Sequence, residues 1–86
     1  MTGKAINLMS TEEQVLQLIS RCTQQPLDTI NMGSTMNNTP GWDSLAHLQI
    51  VNGIENIINS ELTLEKIILA NCAQDWIKIV REHKNV

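Results

Sequence analysis

The stretch Pro40-Gly41-Trp42-Asp43-Ser44-Leu45 runs straight into an apolar-striped segment ending at Ile58, and no other feature constrains the fold as much. A Pro-Gly pair marks a turn, because Pro holds φ near one value and Gly adopts conformations other residues avoid. Asp43 and Ser44 follow where a helix should begin, and either side chain can cap its free N–H groups. Ile50, Ile54, Ile57 and Ile58 then recur at i, i+4, i+7 and i+8, the stripe of a helix facing a core. Leu45, Leu48 and Val51 widen that apolar surface on an adjacent face. The spacing predicts a helix over 44–58 and presents a serine hydroxyl at its positive end. That end favours anions, so it is a suitable place for a phosphate ester. Gly53 inside the helix costs about 1 kcal/mol against Ala, which close approach of another backbone would explain.

The rest of the chain also has helical periodicity. Ser10-Thr11-Glu12-Glu13 reads as a capping box, and Val15, Leu18, Ile19 and Cys22 form one face before Pro26 ends the helix near Gln24. Residues 27–42 form a long polar connection, where Leu27, Ile30 and Met32 are candidates to dip into the core. Residues 62–70 predict a short third helix capped by Thr63, and Asn71 is the expected cap of a fourth, over 72–83. Ala73, Trp76, Ile77 and Val80 lie on one face of that fourth helix. There is no strand-like alternation and no internal repeat. The expected fold is all-α: a small four-helix bundle with a long loop between helices 1 and 2 and a short helix 3. Residues 1–9 form a loose lead-in to one domain over 10–86.

Eighty-six residues suit one domain with a small core and no room for a cavity of enzyme size. Nine acidic against six basic residues, the latter scattered, give a net charge of −3 and argue against nucleic acid. Cys22 and Cys72 form no disulfide framework or paired metal motif, and read as small apolar residues in or near the core. No metal site is expected, since His47, His83 and the two cysteines lack zinc spacing. No stretch has the pattern of a signal peptide or a membrane span, so a cytoplasmic location is expected. His47 follows Ser44 by one turn, but no third group orients it and no oxyanion site accompanies it. The chain is therefore not expected to be an enzyme, and His47 is expected to face solvent or a partner.

The Asp43-Ser44-Leu45 triplet resembles the attachment site of acyl carrier proteins, whose serine carries 4′-phosphopantetheine derived from coenzyme A. The likeness covers roughly residues 10–83: a small acidic domain, a helix, a long loop, and the triplet opening a second helix. It implies the acyl-carrier type of four-helix bundle, covalent attachment at Ser44, and a phosphopantetheinyl transferase that recognises Asp43 with the serine. It also implies a monomeric shuttle for an acyl thioester among acyl-loading and acyl-transfer enzymes. Leu45 would then fill an apolar pocket on those partners. Trp42, Ala46, His47, Leu48, Gln49, Asn52, Glu55 and Asn56 would supply the rest of the docking surface.

Two departures from the family pattern narrow this expectation. Primary fatty-acid carriers bear several carboxylates along helix two, whereas only Glu55 stands between Leu45 and Ser60 here. Partners that dock through Lys and Arg would find little to steer them. Trp42-Asp43-Ser44-Leu45-Ala46-His47-Leu48 looks more like free-standing carriers of polyketide-like, aminoacyl or surface-polysaccharide modification pathways. Trp42 differs from the Gly common before this triplet in nonribosomal peptide systems, which makes a peptidyl carrier the alternative. From another class, an unmodified helical interaction module could use Leu45, Leu48 and Val51 to hold a permanent partner.

Overall fold

Both ends of the first helix are closed by groups that its own sequence supplies. In the computed structural model, which describes residues 10–84, α1 spans Thr11–Thr23. The Glu13 amide donates to Ser10 Oγ at 3.1 Å, and the Ser10 amide donates to Glu13 Oε1 at 3.0 Å, completing the capping box. At the other end Gln24 takes a left-handed conformation, and its N–H donates to the Ser20 carbonyl. The expected lead-in over residues 1–9 lies outside the described residues.

A single 3₁₀ turn, Leu27–Thr29, begins the long connection. Ile30 is buried and Met32 packs against the core, but Leu27 stays exposed, so two of the three expected anchors hold. The connection is also tied to the far end of the chain. Met36 N–H donates to the Asn71 carbonyl, Ala73 N–H donates to the Ser34 carbonyl, and Thr35 pairs with Cys72 in an isolated antiparallel bridge.

Helix α2 spans Ser44–Ile58, α3 Leu64–Leu69 and α4 Ala73–Lys84. Thr63 caps α3 as expected, its hydroxyl accepting from Lys66 N–H. Asn71 does not cap α4. That helix starts two residues later, and the loop takes the Asn71 carbonyl and the Ala73 amide instead. The architecture is a small all-α bundle with four α-helices and no strand among the described residues.

Val15 and Ile19 of α1, Ile50 and Ile54 of α2, and Trp76, Ile77 and Val80 of α4 form the fully buried centre. The end of α1 adjoins the start of α2, because Gly41 packs on the Thr23 carbonyl. Gly41 has φ +84° and no space for a Cβ there, so only glycine makes this turn without strain. The start of α1 lies beside the end of α4, where Glu12 and Arg81 form an exposed ion pair at 3.4 Å. The atoms nearest to a Cβ on Gly53 belong to a side chain rather than a backbone: it would collide with Leu18, which is seated on the glycine.

Candidate functional site

Ser44 is the first residue of α2, and its side chain is exposed. Asp43 is the cap. It has extended backbone (φ −103°, ψ −171°), and its Oδ1 accepts from Ala46 N–H at 2.9 Å. The serine hydroxyl is thereby spared the capping role, and it bonds to no group among the described residues. It projects from the end of a helix where unpaired N–H groups concentrate positive potential.

Behind this exposed end lies a stack of three rings. Trp42, next to the cap, is only 3 % exposed. Its indole N–H donates to His47 Nδ1 at 3.1 Å, and the two rings stack at 6.3 Å between centroids. His47 in turn lies 5.7 Å from the Trp76 ring at a 52° tilt. Indole nitrogen is a donor only, so Nδ1 of His47 must accept and its proton sits on Nε2. Nε2–H then donates to the Ile67 carbonyl at 3.0 Å. Both ring nitrogens are thus occupied within the fold, and neither serves Ser44.

Several of the expected docking residues belong elsewhere. Trp42 and Ala46 are buried, and their expected part in a partner surface is corrected by that burial. Val51, expected on the outer apolar face, packs into the core. His47 is half-buried rather than turned to solvent or a partner. The half-buried Glu55, the single carboxylate of α2, accepts from Leu62 N–H at 2.8 Å. Of the expected docking residues, Asp43, Leu45, Leu48, Gln49, Asn52 and Asn56 remain exposed, the first three nearest Ser44 in the chain. Leu45 and Leu48 are 65 % and 56 % exposed, large values for leucine.

The structure adds residues that periodicity did not single out. Leu64, Ile68 and Leu69 of α3 are each about two-thirds exposed. The excess of apolar residues in Leu64-Glu65-Lys66-Ile67-Ile68-Leu69, too many for one face of six residues, was their signal.

Cys22 is half-buried, and burial pushes its thiol pKa up, opposed by the lesser effect of Arg21. It is not an activated nucleophile. Among the described residues no three His, Cys, Asp or Glu side chains come together as metal ligands would. No helix among them is long and apolar enough to cross a membrane.

Comparison with known proteins places the chain in no family. No protein-family model matches it, and no curated protein matches it either. The functional reading therefore stands on the residues and geometry around Ser44.

Proposed function

We propose that this protein is a discrete acyl carrier, modified on Ser44 by 4′-phosphopantetheine, serving a specialised biosynthetic pathway. One observation carries the reading. Ser44 opens a 15-residue helix with an exposed hydroxyl, while Asp43 does the capping that a serine in this position would otherwise do. The residues present fit the group: the hydroxyl is available as a nucleophile, and the helix end stabilises the phosphodiester that replaces it.

In the attachment reaction, Ser44 Oγ forms a bond to the β-phosphorus of coenzyme A, and the bond from that phosphorus to the 3′,5′-ADP portion breaks. The proton of the hydroxyl passes to a base of the transferase, since His47 has both nitrogens engaged. Once attached, the arm supplies a thiol on which an acyl group is held as a thioester. The chain itself presents the arm and supplies a surface that partner enzymes recognise. Its inner α2 face is filled, with Ile50 and Ile54 wholly buried and Leu18 seated on Gly53. That packing favours cargo held outside the bundle. Leu45 and Leu48 beside Ser44 suit transient apolar docking, and the low charge of α2 favours partners other than those of primary fatty-acid synthesis. A carrier of this kind works as a monomer in the cytoplasm.

The exposed leucines and isoleucine of α2 and α3 also favour a second reading, an unmodified module that holds one partner permanently through that apolar surface. A peptidyl carrier of a nonribosomal system shares the chemistry of the first reading and differs in cargo. Intact mass after incubation with coenzyme A and a promiscuous phosphopantetheinyl transferase separates the two classes. The carrier reading expects a gain of one phosphopantetheine in the parent and none in Ser44→Ala. No gain in folded protein, with the transferase active on a control carrier, favours the permanent module.

A further inference from the structure

Helix α3 has six residues, none of them fully buried, and three of its apolar side chains face outward. A helix this short is unstable alone, so its position must come from tertiary contacts. Two side chains of α2 supply polar ones. Glu55 Oε2 accepts from Leu62 N–H just before α3, and His47 Nε2–H donates to the Ile67 carbonyl in its last turn. Helix α3 is therefore tied to α2 near both of its ends. The Ile67 carbonyl is one of the four that a helix C-terminus leaves without an intrahelical partner, so His47 caps α3 from outside.

We propose that His47 is a positioning residue, which uses the Trp42 indole to fix its tautomer and so holds α3 beside the serine-bearing end of α2. Trp42 makes Nδ1 the acceptor and thereby commits Nε2–H to Ile67. The exposed Leu45 and Leu48 flank His47 in sequence, and Ile68 follows Ile67, so the two elements that carry these side chains meet at this bond. What an approaching partner meets beside Ser44 is set by a ring whose two nitrogens are bonded within the fold. That consequence rests on the carrier reading; the tether itself does not.

The first test is made on the parent protein, by imidazole ¹⁵N chemical shifts. An unprotonated Nδ1 and a protonated Nε2 on His47 are expected at neutral pH, and a protonated Nδ1 overturns the proposal. The second is hydrogen exchange by NMR in two variants. His47→Gln places an amide N–H near the position of Nε2, whereas the shorter side chain of His47→Asn ends near the position of Nδ1 and does not reach Ile67. In His47→Asn, protection of the Ile67 and Ala70 amides should fall at least tenfold more than that of α4. In His47→Gln it should stay within about threefold of the parent. Loss shared equally by α3 and α4, or a Gln variant no better than the Asn variant, overturns the proposal. Neither measurement needs the phosphopantetheine, so a parent that fails to be modified removes the carrier reading and leaves the tether decided.

Discussion

Oδ1 of Asp43 lies 2.9 Å from the amide nitrogen of Ala46, so the aspartate closes the start of α2 and the adjacent serine does not. The sequence left either residue eligible for that cap. With Asp43 performing it, Ser44 has the backbone position of a first-turn residue and an uncommitted hydroxyl.

Capping and recognition by a transferase can be separated at Asp43. Asn caps helices about as well as Asp, so Asp43→Asn should keep stability within about 0.5 kcal/mol, while Asp43→Ala should lose about 0.5–2 kcal/mol. Urea denaturation reads both. If the transferase recognises the carboxylate, Asp43→Asn will be modified much more slowly than the parent despite its retained stability.

Gly53 should resist replacement for a steric reason. Alanine there gains about 1 kcal/mol of helix propensity, but its methyl group would occupy the space of Leu18 Cδ1 and Cδ2. Displacing the packed end of the Leu18 side chain costs about 1–3 kcal/mol, so Gly53→Ala should be neutral to destabilising despite the better helix former. Combined with Leu18→Ala, the same methyl fills part of a new cavity. The double variant should therefore be more stable than the two single effects sum to, by about 0.5–3 kcal/mol in a denaturation cycle.

Trp42→Phe keeps a ring in the stack but removes the donor to His47 Nδ1. It should destabilise the protein by about 1–3 kcal/mol, the cost of a lost part-buried hydrogen bond and an unpartnered acceptor. Because the indole also selects the tautomer, amide exchange in α3 should quicken more than in α1. Equal quickening in both helices would contradict that coupling.

The thiol of Cys22 offers a pH-dependent check. Its pKa is raised in the fold, chiefly by burial, so the unfolded chain ionises first as pH rises. The native advantage is intact below the unfolded thiol's pKa, about 8.5, and declines as pH rises through the higher folded value. Alkylation of Cys22 by iodoacetamide should therefore reach half its maximal rate at a higher pH in the native protein than in urea. Identical pH profiles would show that burial does not act on this thiol.

Much of the helical framework was legible in the chain because its causes are local. Capping at Ser10 and Thr63, the start of α2 and the end of α1 near Gln24 each depend on groups within a few residues. The inward faces of α1 and α4 follow from periodicity, as do Ile50 and Ile54 of α2, whereas Ala46 and Val51 also turned inward and Ile57 and Ile58 are only half-buried. The start of α4 was not legible: the cap signal at Asn71 lost to hydrogen bonds that the Ser34 carbonyl accepts from Ala73 and Met36 N–H donates to Asn71, which no local pattern encodes.

The candidate site divides in the same way. The sequence by itself determined that a turn would deliver Asp43 and Ser44 to a helix start, since Pro40, Gly41 and the apolar stripe act over one or two turns. Only the tertiary structure decided which neighbours of Ser44 are available to a partner. Trp42 turned inward because a large ring stabilises a small core more than it does a loop surface, and His47 went with it to satisfy the indole N–H. Glu55 was taken by Leu62, and α3 settled where these two side chains could reach it. Such choices depend on how these segments pack against the rest of the bundle, and those energies appear only when the helices are already side by side.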